Sequence, residues 1–189
     1  MTEVPELRDG DVLLRAHTEA DLPGVVEQCQ DPSMQRFTTI PVPYGPELAP
    51  QFLERVRAGW TGGSAASWAI DVGGRFAGTV DIELGEGWGG IGYGLHPWAR
   101  GRGVMTTAAR LALEWAFTEQ QLIGVRWEAF VGNEPSRRVA EKCGFLMEGT
   151  ARGHTVARGV RYDAWLGSLL ADEWRAQAGA SGRRGTGLE

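Results

Sequence analysis

Residues 91–105 read IGYGLHPWARGRGVM, and this stretch decides the fold class of the chain. A run typical of a strand ends at His96-Pro97, because proline cannot donate a hydrogen bond to a central ladder. The turn Arg100-Gly101-Arg102-Gly103 follows, and apolar residues then recur at helical spacing from Val104 to Thr118. A strand, a glycine turn and a helix in this order are typical of phosphate sites, since a helix N-terminus offers free N–H groups and a partial positive charge.

Taken alone, this glycine turn is equally compatible with an ordinary structural turn before a helix. It does not fit the dinucleotide-binding motif, because the third glycine and the acid about twenty residues later are missing. It does not fit the nucleoside triphosphate motif either, because no Gly-Lys-Ser/Thr follows. The turn therefore indicates an anion site only in combination with its surroundings.

The elements on both sides of this stretch predict one mixed α/β domain. Besides 88–95, the sequence pattern predicts strands at 11–16, 67–72, 75–84, 122–130, 145–151 and 160–169. It predicts helices at 19–30, 46–60, 104–118 and 134–142, and a loop at 33–46, which is rich in proline. Because no repeat or linker is visible, we expect a single domain over residues 11–174, with an N-terminal extension at 1–10 and a flexible tail at 175–189.

Composition restricts the classes of function. The 189 residues, 42% of them hydrophobic and 23% charged, suffice for one folded domain. A net charge of -5 argues against a nucleic-acid partner, which would show clustered Lys and Arg. Cys29 and Cys143 are too few for a disulfide framework and match no metal-ligand spacing, so we expect no metal. An acidic N-terminus and the lack of a long apolar run predict a cytoplasmic protein without a membrane partner.

The sequence resembles the GNAT acetyltransferases, whose cofactor motif is Gln/Arg-x-x-Gly-x-Gly/Ala. Arg100 matches the first position and Gly103 the fourth, while Met105 stands where the family has a small residue. The segments VGNEPS at 131–136 and EKCGF at 141–145 follow at the expected interval. Together with IGYGLHP, they are similar to the RimJ/RimL-like branch, the ribosomal-protein alanine and serine N-terminal acetyltransferases and their relatives.

This resemblance implies a GNAT-type α/β (α+β) domain with a mixed sheet of about six to seven strands and about four helices. Two parallel strands, Trp88–Leu95 and Leu122–Phe130, are implied to splay apart and to bind acetyl-CoA between them. The side chain of Met105 either crowds the pyrophosphate or points away from it. The implied cofactor-binding residues are Leu95, Arg100, Gly101, Arg102, Gly103, Val104, Met105, Asn133 and Ser136, with an N-cap as the alternative role of Asn133.

The implied reaction is direct transfer of the acetyl group to a primary amine in a ternary complex. Ser136 matches a serine proposed to protonate the CoA sulfur, whereas the tyrosine that many GNAT enzymes place four residues later is Ala140 here. Asp81 and Glu83 share one face of their predicted strand and are the candidate bases, although a solvated face is the slightly favoured explanation. Relatives carry acids at the positions of Gly90 and Thr155.

Two classes of acceptor are compatible with this chemistry, a protein N-terminus and a small amine, and an acidic protein attracts either one if it is cationic. Related enzymes are often dimers, which makes a homodimer an expectation. A second class of function stays open, a non-catalytic acyl-CoA-binding module, because the family pattern is changed at Met105, Ala140, Gly90 and Thr155.

Overall fold

The computed structural model describes residues 3–182 and shows one mixed sheet of eight strands, in the order β1-β2-β3-β4-β5-β6-β8-β7. The strands are β1 (Leu7–Asp9), β2 (Val12–Arg15), β3 (Ala65–Val72), β4 (Arg75–Leu84), β5 (Trp88–Leu95), β6 (Gly124–Phe130), β7 (Leu146–Ala157) and β8 (Val160–Leu170). The helices are α1 (Leu22–Gln30), α2 (Pro32–Phe37), α3 (Ala49–Gly62), α4 (Val104–Thr118), α5 (Glu134–Cys143) and α6 (Ala171–Gly182). Three 3-10 turns complete the described part, at Glu19–Asp21, Pro46–Leu48 and Pro97–Ala99.

The predicted fold class is confirmed, but the counts of strands and helices were too low. Strand β1 is only three residues long and lies within the stretch taken as an N-terminal extension. Helix α2 lies in the segment predicted to be a loop. Asp31-Pro32 ends α1 as expected and also starts α2, because Asp31 accepts a hydrogen bond from Met34 N and proline suits the first helical position.

The C-terminal helix α6 continues past residue 174 to Gly182. Its first turn is acidic, and Glu173 accepts a hydrogen bond from Leu170 N at 2.9 Å, which satisfies a free N–H at the helix start. Trp174 packs against Phe117 with ring centroids 5.9 Å apart. The tail predicted at 175–189 therefore begins inside a helix, and residues 183–189 lie outside the described residues.

Apolar side chains cover both faces of the centre of the sheet. Helix α4 packs against β2, β4 and β5 on one face, where Trp60, Trp68 and Trp115 meet edge to face at centroid distances of 5.0 to 5.7 Å. A smaller cluster on the other face joins α1 to the sheet through Ala69 and Phe76. These two layers fix the position of β4 and β5.

The parallel pair β5 and β6 separates halfway along its length. Pairing runs from Trp88↔Gly124 to Ile91↔Trp127, yet β5 continues to Leu95 and β6 to Phe130. Beyond Ile91, β5 is paired with β4 alone, and β6 is paired with β8 alone. The splayed parallel pair predicted for these strands is confirmed, and the gap between them opens the site described next.

Candidate active site

A single cleft of about 1630 Å³ occupies the gap between β5 and β6. Its walls come from both strands, from the N-termini of α4 and α5, from α2 and from β7. The cleft is therefore lined by segments that are far apart in the sequence.

The backbone of β5 presents polar groups to this cleft. His96 N donates to Ala77 O at 2.7 Å, so the neighbouring pair Gly78↔Leu95 is the one without mutual hydrogen bonds. The N–H and C=O of Leu95 consequently point away from β4 and toward the gap. The Leu95 carbonyl accepts a hydrogen bond from Arg100 Nε at 3.0 Å, which leaves the Leu95 N–H for a ligand.

The predicted phosphate turn precedes α4 and is open. Gly101 and Gly103 have φ angles of 75° and 79°, a region that side chains other than glycine rarely adopt, and a Cβ on either would meet no atom within 4 Å. Among the described residues no side chain caps the N-terminus of α4, and the first helical bond runs from Thr107 N to Gly103 O. The preceding N–H groups are thus free to bind an anion.

Met105 follows the turn and is largely buried. It is 7% exposed and belongs to the core cluster beneath α4, and it also lines the cleft. Its burial favours the alternative in which the side chain points away from the pyrophosphate, and this alternative stays a prediction.

The two arginines of the turn differ in their surroundings. Arg102 is exposed. Arg100 donates to Asp31 Oδ1 at 2.6 Å as well as to the Leu95 carbonyl. Burial alone would raise the pKa of Asp31, but the hydrogen bonds from Arg100 and Met34 N lower it. The predicted cofactor residue Arg100 thus holds α2 against the turn in this structure.

Helix α5 begins beside a hydroxyl pair. Asn133 acts as N-cap by accepting from Ser136 N at 3.3 Å, the structural role weighed for it, and it also lines the cleft. Ser136 Oγ accepts from Trp127 Nε1 at 3.2 Å and donates to Tyr93 Oη at 3.3 Å, while Tyr93 donates to the Ser136 carbonyl at 2.9 Å. Three segments of the chain therefore fix this serine.

Tyr93 is a residue of the site for which the sequence predicted no role. Burial raises its pKa well above the usual range, although the hydrogen bond with Ser136 opposes the shift, so the phenol keeps its proton at neutral pH. Its hydroxyl is next to Ser136, whereas Ala140, where many GNAT enzymes have a tyrosine, is buried. Nothing in the motif indicated this pairing, because the two residues are 43 positions apart.

Asp81 and Glu83 lie over two glycines of β5. A Cβ on Gly92 would be 2.8 Å from Asp81 Oδ2, and a Cβ on Gly90 would be 3.5 Å from Glu83 Oε2. The carboxylate of Glu83 thus lies within van der Waals distance of the point where a side chain at Gly90 would begin. Both acids line the cleft, where Asp81 is half-buried and Glu83 is exposed.

The two acids are on the sheet face opposite the hydroxyl pair. In the β4–β5 ladder, Asp81 pairs with Gly92 and Val80 pairs with Tyr93. Paired residues share one face of the sheet, whereas adjacent residues of a strand point to different faces, so Asp81 and Tyr93 lie on different faces. Burial first, and then the charge of Glu83, raise the pKa of Asp81 to about 6, although Arg55 opposes the shift. The cleft passes between the strands and connects both groups.

Further carboxylates surround the cleft mouth on β6 and β7. Glu128 accepts from Thr155 Oγ1 at 2.8 Å and forms a 3.2 Å contact with His154 Nε2. Glu148 accepts from Ser168 Oγ at 2.7 Å. Arg126 of β6 also lines the cleft, so both signs of charge are present beside these carboxylates.

The cleft has the architecture that the sequence resemblance implied, and a family model agrees. The model described as an acetyltransferase (GNAT) domain matches residues 11–146. The chain belongs to the GNAT family. Its splayed strands, open glycine turn and capped α5 are thus parts of a GNAT domain.

Related proteins carry names from the predicted branch. YdaF of Bacillus subtilis, named as a ribosomal N-acetyltransferase, is 41% identical over 87 residues, which are 46% of this chain and 48% of YdaF. The N-acetyltransferase YjcK of the same organism is 41% identical over 80 residues, 42% of this chain and 44% of YjcK. The chain thus matches about half the length of these curated relatives.

Solved structures of GNAT proteins share the fold over nearly the whole described chain. RimJ of Mycobacterium smegmatis, in complex with CoA-disulfide, superimposes with a TM-score of 0.81 at 24% identity, covering 95% of this chain and 94% of RimJ. The ribosomal L7/L12 acetyltransferase RimL, in complex with coenzyme A, gives 0.81 at 18% identity, covering 89% and 99%. At these identities the likeness concerns the fold.

Two findings concern other kinds of site. No helix in residues 3–182 is long and apolar enough to cross a membrane. The same residues contain no group of three or more His, Cys, Asp or Glu side chains that could hold a metal ion.

Proposed function

We propose that this GNAT protein is an acetyl-CoA-dependent N-acetyltransferase that acts on a primary amine by direct attack in a ternary complex. The observation that carries the proposal is the cleft between β5 and β6, which joins an open helix N-terminus, a half-buried hydroxyl pair and two carboxylates. Each of these groups suits one part of such a reaction.

The turn at Arg100–Gly103 and the first N–H groups of α4 are suited to hold the pyrophosphate of acetyl-CoA. Arg138 and Lys142 of α5 line the same cleft and supply further positive charge. We assign the Leu95 N–H as the donor to the acyl end, where acetyl-CoA supplies an activated thioester. Asn133, which also lines the cleft, is a further predicted contact.

Asp81, assisted by Glu83, is the group that we assign as proton acceptor from the amine. An amine attacks only when neutral, and a base is most useful when its pKa lies near the working pH. A pKa of about 6 leaves Asp81 ionised at neutral pH yet more basic than an ordinary aspartate. An α-amino group, with a pKa of about 7.7–8.0, needs far less help from such a base than a lysine at about 10.4.

The acceptor that we propose is therefore an α-amine or another weakly basic primary amine, and the names of YdaF and RimL favour the N-terminus of a protein. The net charge of -5 suits a cationic acceptor by long-range electrostatic attraction, to which Glu128 and Glu148 at the cleft contribute. Residues 11–174 are our proposal for the catalytic domain. A cytoplasmic location, a homodimer and the absence of a nucleic-acid partner stay predictions.

Ser136 and Tyr93 form the pair that we assign to protonate the departing sulfur. We expect Ser136→Ala to lower kcat about 10- to 100-fold, near the lower limit for general acid catalysis because the neighbouring phenol and solvent still offer protons. Tyr93→Phe should have a smaller effect, and the double variant should lose less than the product of the two. Steady-state kinetics at saturating substrates measure this, with the exposed Ser64→Ala as control. Wild-type turnover in the double variant would refute the assignment.

Cys143 takes no covalent part in the proposed reaction. It is 1% exposed, and burial raises the pKa of its thiol to about 11, so it is neither accessible nor ionised at neutral pH. We expect Cys143→Ala to keep kcat within about twofold, as for a buried structural thiol. Kinetics together with intact-mass analysis test this prediction, and an acetylated Cys143 in the wild-type protein would contradict direct transfer.

The proposed function is tested by release of free CoA thiol from acetyl-CoA across a panel of acceptors. The panel contains short peptides with free N-termini, the same peptides with blocked N-termini and one lysine, and small polyamines. We expect release with free N-termini and little with blocked peptides. Binding of acetyl-CoA without release by any amine would instead support the non-catalytic acyl-CoA-binding module.

A further inference from the structure

The short segment from Asp31 to Ile40, called the strap below, crosses the mouth of the cleft. It contains α2 and the residues after it, and Met34, Phe37 and Thr39 are among its cleft-lining members. The strap is on the side of the sheet where Asp81 lies, since a Cβ on Gly94, which shares that face of β5 with Gly92, would be 2.9 Å from Met34 Cε. It therefore borders the part of the cleft that an amine has to enter.

One end of the strap is bound to the β7–β8 hairpin by a single side chain. Arg158 Nη1 donates to the carbonyls of Thr38 and Ile40, both at 3.0 Å, and Arg158 Nη2 donates to the carbonyl of Gln35 at 2.9 Å. A guanidinium suits this task because its planar fork offers five donors at a fixed charge. Three backbone carbonyls far from Arg158 in sequence are thereby bound together.

The backbone at Arg158 is unusual for an arginine. The residue has a φ of 50° and Gly159 follows with 77°, in a two-residue hairpin turn that favours asparagine, aspartate and glycine. An arginine in this left-handed region costs conformational energy, and such outliers persist where the side chain is needed. The turn alone therefore does not explain the choice of residue.

The other end of the strap is bound to the glycine turn. Asp31, the N-cap of α2, accepts from Arg100 at 2.6 Å, and Arg100 also binds the Leu95 carbonyl at the edge of the gap. The strap thus spans the mouth from the proposed cofactor turn to the hairpin, with an arginine at each end.

We propose that Arg158 is a positioning residue that fixes the strap across the acceptor entrance and thereby determines how well an amine is bound. This inference rests on the proposed function for its kinetic part. Arg158 touches neither of the groups assigned to proton transfer, so it acts on acceptor binding through the strap.

The test uses Arg158→Asn, which suits the hairpin turn and removes the tether, and Arg158→Lys, which restores part of it. We expect amide hydrogen exchange at residues 34–40 to become roughly tenfold faster in Arg158→Asn, as for the loss of a charge-assisted hydrogen bond. The KM for a peptide acceptor should rise about fivefold or more while kcat stays within about twofold, the pattern of lost uniform binding. The exchange rates and the acceptor KM of Arg158→Lys should lie between those of the wild-type protein and Arg158→Asn. The Kd for acetyl-CoA should not change in either variant.

Arg152→Gln is the matched control, because Arg152 is an exposed arginine of the same hairpin. Unchanged exchange in Arg158→Asn would refute the tether. Faster exchange with an unchanged acceptor KM would refute the role at the entrance. The hydrogen-exchange measurement needs no substrate. If the wild-type protein transferred no acetyl group, that result would count against the proposed function, and hydrogen exchange would still test whether Arg158 holds the strap.

Discussion

Gly103→Val is expected to weaken the binding of acetyl-CoA by about 100-fold, which corresponds to the loss of one or two hydrogen bonds to a charged group. A φ of 79° is strained for any side chain and most of all for a β-branched one, so the turn has to change its shape. The N–H groups at the start of α4 then no longer converge on one point. Calorimetric titration with acetyl-CoA measures the effect.

The matched control for this prediction is Gly63→Val. Gly63 has a φ of 67° and open space where a Cβ would lie, but it ends α3 and is not among the residues that line the cleft. Both variants should lose about 1–2 kcal/mol of stability, the typical cost of the left-handed region, whereas only Gly103→Val should lose affinity. Equal affinity of the wild-type protein and Gly103→Val for acetyl-CoA would refute the assignment of the glycine turn as a phosphate site.

Asp81→Asn is expected to lower kcat/KM by about 100-fold or more at neutral pH, within the range found for removal of a general base. The wild-type rate should rise with pH through about 6, where Asp81 loses its proton. Glu83→Gln should shift this rise to lower pH, because the charge of Glu83 contributes to the raised pKa. Initial rates from pH 5 to 9 measure both effects, and Glu114→Gln, on the exposed face of α4, is the control.

Asp81→Asn should be more stable to unfolding than the wild-type protein at pH 7. The pKa of Asp81 is raised from 3.8 to about 6 on folding, so its ionisation destabilises the folded state above pH 6 and has no effect below 3.8. The free energy of unfolding of Asp81→Asn at pH 7 should exceed that of the wild-type protein by at most about 3 kcal/mol, since one pKa unit corresponds to about 1.4 kcal/mol. Denaturant titrations at pH 4 and pH 7 test the sign. A variant that kept its activity and gained nothing at pH 7 would contradict the position assigned to Asp81.

The sequence carried enough information to predict the centre of the fold. The strand Trp88–Leu95, the glycine turn and helix α4 were predicted with their boundaries, because local periodicity and glycine placement determine them. Helix α2 was missed for a local reason too, since Asp31-Pro32 ends one helix and starts the next. A dipeptide with two roles cannot be assigned correctly if only one of them is considered.

Other features depended on contacts between distant segments. The sixth motif position gave the size of Met105 but not the direction of its side chain, and the packing under α4 shows that this side chain is largely buried. The approach of Glu83 to Gly90 follows from the register of β4 against β5. Register and side-chain packing are properties of the assembled sheet, so a single sequence without structure does not specify them.

The most direct test of the account is one calorimetric experiment on the wild-type protein, in which acetyl-CoA and then CoA lacking its 3′-phosphate are titrated separately. A site built on the glycine turn should bind both, with one-to-one stoichiometry and a Kd in the micromolar range, about -8 kcal/mol. It should bind them through the diphosphate that they share. No measurable heat with either ligand, in a protein that is folded by circular dichroism, would contradict the proposed binding of acetyl-CoA.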